Sequence, residues 1–453
     1  MSHWAYDAVF YHIYPLGLCG APQRNDFTSP AQPRLEQLHG WIDHLASLGV
    51  NALYLGPVFE STTHGYDTAD YYRVDRRLGT NETLAQLSAA LHQKGIRLIM
   101  DAVFNHVGRD FWAFRDVLEQ RERSAYRDWV HGLDFSRRSP YGDPFAYDGW
   151  NSHYSLVKLN LRHAAVKEHL FQAVAAWMRD FAIDGLRLDA ADCMDMDFLR
   201  ELAAFCKGQR PDFWLLGEVI HGDYRQWANP ATLDSVTNYE CYKGLYSSHV
   251  DKNYFEIAYA LNRQFGAGGL YHNLPLYAFA DNHDVNRVAS NLKNPAHLGP
   301  LYALLFTMPG VPSIYYGSEW GIEGKKTKWS DKALRPHLTL DDMARLGPRP
   351  ELVDVIRRLA AIRRRSPALR YGSYAQMRVD HEQMAFARQT ADETVVVAVN
   401  AADRPAAFDL SLPGGRGSRL RDWLNGDEYF AVQGGQVHVE AVPPCWARIM
   451  VVE

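Results

Sequence analysis

Short apolar runs rich in β-branched and aromatic residues recur along the chain, each followed by a longer segment with apolar residues at helical spacing. That alternation is the pattern of a parallel sheet wound with helices. The runs are residues 9–14, 52–57, 97–103, 185–189, 214–219, 235–239, 276–280 and 311–316. Between them the spacing predicts helices over 35–47, 84–94, 164–181, 197–207, 254–265 and 297–308. Eight strand-helix repeats imply an α/β protein whose sheet closes into a (β/α)8 TIM barrel.

Two stretches break the rhythm. Residues 108–155 are rich in Arg, Asp, Tyr and Trp and show no clear period, which predicts a small inserted domain after the third strand. Beyond a helix over 352–365 the runs 393–400, 407–412 and 445–452 are short, β-like and separated by Gly, Pro and Asp turns. The tail therefore reads as a C-terminal antiparallel β-sandwich beginning near Tyr371. The expected division is a catalytic barrel of 1–107 and 156–370, an insertion of 108–155 and a sandwich of 371–453.

In such barrels chemistry sits at the C-terminal ends of the strands, and polar residues cluster there in this sequence. Run three ends Asp101-Ala102-Val103-Phe104-Asn105-His106, run four reads Gly185-Leu186-Arg187-Leu188-Asp189, run five ends Gly217-Glu218-Val219 and run seven ends Asp281-Asn282-His283-Asp284. Strand alternation puts Arg187 and Asp189 on one inward face as an ion pair, with Leu186 and Leu188 toward the helices. An arginine so placed is expected to keep Asp189 a low-pKa anion fit for nucleophilic attack. Glu218 follows an apolar strand, where burial would keep a proton on it, as a general acid requires. Two carboxyl groups with opposite protonation are what glycosidic cleavage needs. Asp284 could then stabilise a cationic sugar ring, with His106 and His283 donating to sugar hydroxyls.

Composition narrows the classes. The 453 residues are 47% hydrophobic and 22% charged with a net charge of -5, so no basic excess points to nucleic acid. Residues 1–18 lack the basic start and unbroken apolar run of a secretory leader, and no membrane span is read. Cys19, Cys193, Cys206, Cys241 and Cys445 are an odd, widely spaced set without a CxxC pair. Neither a disulfide framework nor a zinc site follows, and a cytoplasmic location is expected.

Taken together, the four polar strand ends resemble, in order and spacing, the four signatures of the α-amylase superfamily, glycoside hydrolase family 13. That resemblance implies Asp189 as nucleophile, Glu218 as acid/base and Asp284 as transition-state stabiliser. It implies Arg187 as partner of the nucleophile, His106 and His283 as sugar contacts, Tyr66 in His64-Gly65-Tyr66-Asp67 as the aromatic platform, and Asp101 as the structural carboxylate of the same pocket. Leu156-Val157-Lys158-Leu159-Asn160 looks like the fifth signature in the form of neopullulanases, cyclomaltodextrinases and maltogenic amylases. Asp67-Thr68-Ala69-Asp70-Tyr71 and residues 233–239 point the same way. Two departures concern the leaving-group side: the barrel begins almost at Met1, where that group carries an N-terminal β-sandwich, and Ile220 replaces a Trp before His221, itself matched to a substrate contact.

The implied activity is hydrolysis of α-1,4 links in short or cyclic maltooligosaccharides through a covalent glycosyl-enzyme intermediate. Transglycosylation or disaccharide isomerisation is the alternative, and an inactive sugar-binding module is disfavoured because all three acids are present. No cofactor is expected; calcium stays open, since Asn105 matches a calcium ligand of secreted amylases while 108–155 offers no convincing set of partners. The expected partner is an oligosaccharide, with a homodimer left open.

Overall fold

The computed structural model describes residues 3–415 and 417–453. Eight strands, β1 (Phe10–Ile13), β2 (Ala52–Leu55), β3 (Arg97–Ala102), β4 (Gly185–Leu188), β5 (Trp214–Gly217), β6 (Ser235–Val236), β7 (Tyr277–Phe279) and β8 (Val311–Tyr315), pair in parallel in the order 6-5-4-3-2-1-8-7. A parallel bridge between Thr237 and Tyr277 joins the two ends and closes the barrel. The strands are shorter than their apolar runs because the chain leaves the ladder at the mouth, where the polar residues begin.

Every barrel strand except the first residue of β3 is buried on both faces, as a sheet enclosed by helices demands. Leu186 and Leu188 pack outward with the helices, while Phe10, Tyr54, Ile99, Trp214, Leu216, Tyr277 and Phe279 form a separate interior cluster. The turn Trp4–Asp7 plugs the bottom: Trp4 packs on Trp214 and Phe10, and Arg97 lies 4.8 Å over its ring. Only the upper end is left for chemistry.

The helices Ala164–Phe181, Met196–Gln209, Phe255–Phe265 and Leu298–Thr307 stand where the periodicity puts them. The helix Tyr239–Val250 was absent from that reading, because its buried face, Cys241, Gly244, Leu245, Ser247, Ser248 and His249, is mostly small and polar and gives no apolar helical period. The stretch without periodicity after β3 contains a helix, Trp112–Gln120, and a small antiparallel sheet of His106–Gly108, His153–Lys158 and Gly149–Trp150. From Ser373 the chain forms eight antiparallel strands where three had been read, folded around an apolar interior that includes Phe386 on one side and Phe408, Leu410 and Val439 on the other. Arg363 and Arg388 fix the junction: they donate to the carbonyls of Phe306 and Thr307 at the end of the helix Leu298–Thr307, groups a helix terminus leaves unpaired. Among the described residues no helix is long and apolar enough to cross a membrane, and all five cysteines are free.

Gly185 marks where the barrel is tightest. A Cβ there would meet the carbonyl oxygen of Trp214 at 2.4 Å, on the strand with which it pairs. Gly185→Ala should therefore cost about 2–4 kcal/mol in urea unfolding, because the obstacle is backbone and cannot rotate away.

Candidate active site

Parallel register assembles the acids. Asp101 of β3 lies opposite Arg187 of β4, and the ladder runs one residue past the strands: Asp189 N–H donates to Ala102 O (3.1 Å) and Glu218 N–H to Leu188 O (2.9 Å). Asp189 and Glu218 thus occupy the same level at the mouth of adjacent strands. Immediately afterwards Ala190 turns left-handed (φ 48°), a conformation costly for a residue with a Cβ, and points its N–H at Glu218 Oε2 (3.1 Å).

Arg187 holds three carboxylates. Its Nη1 donates to Asp189 Oδ1 (2.7 Å) and to both oxygens of Asp101 (2.8 and 3.1 Å), and its Nη2 lies 2.9 Å from Glu218 Oε2. Tyr54 and Tyr66 hydroxyls complete Asp101 at 2.7 and 3.0 Å, so that carboxylate forms the floor of the cluster. The fourth acid, Asp284, forms a second unit with His283 Nε2 (3.0 Å) and Arg335 Nη2 (3.0 Å), and Arg335 also donates to the His283 carbonyl. Tyr66 connects the two units, its hydroxyl 2.5 Å from His283 Nε2 and its ring stacked on that imidazole.

The electrostatics correct one expectation. Burial pushes the Asp189 carboxyl well above the usual range; Arg187 pulls it down, but Glu218, Asp101 and Asp284 push it further up. One guanidinium is shared among three acids, so its pull on Asp189 is opposed by burial and by the neighbouring carboxylates. Asp284 goes the other way: burial would raise it, yet His283, Arg335 and Arg187 hold it below the usual range. Burial also brings His106 down to about 3, which leaves a neutral ring with Nε2 unpartnered and 3.8 Å from Asp189 Oδ2.

Of the residues singled out from sequence, Tyr66, Asp101, His106, Arg187, Asp189, Glu218, His283 and Asp284 come together. His221 does not join them; it is exposed on the rim beside Ile220, lining a groove that also reaches Tyr239. Four contributors escaped that reading, the first of them Tyr54, whose hydroxyl bonds Asp101. Arg335 comes from the irregular segment after β8, without a local pattern to reveal it. Tyr239, within 3.4 Å of Glu218 Oε1, and Asn282, which donates to the Tyr239 hydroxyl, lay inside the quoted segments but carry no charge to single them out. From the insertion, Trp150 brings its ring within 5.6 Å of His106. Asn105 Oδ1 is buried without a partner, and among the described residues the one group of three or more His, Cys, Asp or Glu side chains that could hold a metal ion is His297, Asp403 and Cys445, near the sandwich.

The alpha amylase catalytic domain family matches residues 34–345, and the neopullulanase-like C-terminal domain family matches 373–448. A cyclomaltodextrinase of Bacillus sp is 32% identical over 416 residues, covering 88% of this chain and 73% of that protein. Neopullulanase 2 of Thermoactinomyces vulgaris is 32% identical over 461 residues, 95% of this chain and 75% of that protein. Among solved structures, the ligand-free cyclic alpha-maltosyl-(1-->6)-maltose hydrolase of Arthrobacter globiformis superposes with a TM-score of 0.82 at 27% identity, over 99% of both chains.

A carboxyl raised by folding contributes stability in full below its unfolded value, about 4, and loses it as the pH rises through the folded one. Asp189→Asn removes that loss while leaving Asp101 and Glu218 to satisfy Arg187. The variant should be more stable than the parent by about 1 kcal/mol at pH 7 in urea unfolding, with the gain fading below about pH 4. Asp284→Asn should be destabilised at pH 7, since its depressed pKa contributes in the opposite sense.

Proposed function

This chain belongs to the alpha-amylase family, and on that premise we propose that it is a retaining α-glucan hydrolase acting on short or cyclic maltooligosaccharides. The carrying observation is that one buried guanidinium bonds both Asp189 and Glu218 at the barrel mouth. Two carboxyl groups tied to one small cation are held close, as double displacement requires at about 5–5.5 Å; inversion needs roughly 6.5 Å or more to admit a water.

In the first step Asp189 attacks the anomeric carbon while Glu218 gives its proton to the leaving glycosidic oxygen. Positive charge developing on the sugar ring favours the ionised form of Asp189. In the second step Glu218, now anionic, takes a proton from water, which attacks the glycosyl ester and restores Asp189. Asp284, kept anionic by its guanidinium and imidazole neighbours, stabilises the oxocarbenium-like ring. The unpartnered Nε2 of His106 finds its hydrogen-bond partner in a sugar hydroxyl, which removes the penalty of leaving it bare.

The substrate class rests on the relatives, whose names specify cyclodextrins, pullulan-type glucans and a cyclic maltosyl-maltose. Proton NMR of a cyclodextrin digest should show the α-anomer appearing first; the β-anomer would exclude retention. Asp189→Asn, Glu218→Gln and Asp284→Asn should each lose at least about 1,000-fold in kcat with unchanged far-UV circular dichroism. Near-normal turnover in any of the three would exclude the role given to that residue.

A further inference from the structure

Tyr66 stands at the tip of a hairpin that follows β2, with strands Phe59–Ser61 and Thr68–Val74 paired antiparallel. The tip is tight: Gly65 has a φ of 89°, and a Cβ there would meet side-chain carbons of Pro57 at 2.8 Å. The Tyr66 hydroxyl bonds both Asp101 and His283, so any shift of this tip moves a contact common to the two acid units.

Two successive carbonyls of the tip are held by side chains from elsewhere. His64 O accepts from the Tyr14 hydroxyl (2.7 Å), and Thr63 O accepts from Arg77 Nη1 (2.7 Å). Arg77 Nη1 donates as well to the carbonyls of Pro22 (3.0 Å) and Gln23 (3.2 Å), and Nη2 donates to Ser61 Oγ (2.9 Å) and O (3.3 Å). Nε and Nη2 also make a forked pair with the two oxygens of Asp75 (2.9 and 2.7 Å), and Asp75 accepts from the Ser61 hydroxyl (3.0 Å). Arg77 is 5% exposed, and Asp75 is fully buried.

A guanidinium suits this cage because its planar fork presents donors in several fixed directions, whereas an ammonium is a compact point charge. An arginine bonded to loop carbonyls ordinarily does no more than satisfy buried acceptors. Here the acceptors belong to two segments that border the site. Pro22 and Gln23 line a cavity of about 920 Å³ together with Tyr14, His64 and Arg335, and Ser61 and Thr63 form the leg of the hairpin that leads to Tyr66.

We propose that Arg77 is a positioning residue, which sets the place of Tyr66 against the two acid units by gripping the leg of its hairpin. The assignment rests on the hydrolase reading given above and adds to it a residue whose bonds go to Asp75 and to loop oxygens rather than to the acids of the site. Tyr66 bonds groups that act in the transition state, so its displacement should show in kcat more than in KM.

The test is a double-mutant cycle of Arg77→Ala and Tyr66→Ala, followed with a p-nitrophenyl α-maltoside, whose good leaving group keeps slow variants measurable. Arg77→Ala should lower kcat by roughly 10- to 100-fold and alter KM less than about 3-fold, and in the Tyr66→Ala background it should cost less than about 3-fold. Free guanidinium ion, well below denaturing concentrations, should restore part of the activity of Arg77→Ala and none of that of Tyr66→Ala. Arg77→Lys, which has the charge without the fork, should stay well below the parent, and it replaces Arg77→Ala in the cycle if circular dichroism shows that variant to be unfolded. Equal losses in both backgrounds, or parent-level kcat in Arg77→Lys, would overturn the positioning role while leaving the hydrolase reading intact. A parent protein that cleaves neither this glycoside nor a cyclodextrin would remove both.

Discussion

The whole site depends on one planar cation. Arg187 is 3% exposed, and its guanidinium meets Asp101, Asp189 and Glu218 at once. A lysine in its place would offer a compact point charge without the rigid fork that fixes several carboxylates at set angles. Removing so many charges from water is expensive, and a buried ion cluster is a poor source of stability. Its value is geometric: it fixes two acids side by side at the barrel mouth.

The barrel converts that cluster into an accessible site. Parallel strands hold adjacent residues in fixed register, so each acid is placed by the ladder rather than by a mobile loop. Trp4 and Trp214 fill the lower end, and the strained turn at Ala190 directs the backbone toward Glu218 just above. The arginines at the sandwich junction play a similar structural role on the outside, satisfying carbonyls that the end of a core helix would otherwise bury unpaired.

The two acid units differ in a way that matches the work proposed for them. Asp284 meets the His283 imidazole and a second guanidinium, that of Arg335, which also pairs with Asp331, and is held below the usual carboxylate range. Asp189 and Glu218 have to share Arg187 with the floor carboxylate. One carboxylate is favoured as an anion by its neighbours, whereas Asp189 sits among like charges that oppose its ionisation.

Much of this was legible in the chain itself. Apolar runs of strand length followed by helical periods gave eight strands and most of the helices, because burial on two faces leaves few polar positions in a parallel strand. The two-residue spacing of Arg187 and Asp189 determined their shared inward face, because side-chain alternation is local. What sequence could not determine was which groups from distant segments would meet these residues. Arg335 reaches Asp284 from 51 positions away, and Glu218 and Asp101 reach Arg187 from 31 and 86. For that reason the lone Arg-Asp pair suggested a depressed carboxyl, and the assembled cluster raised it.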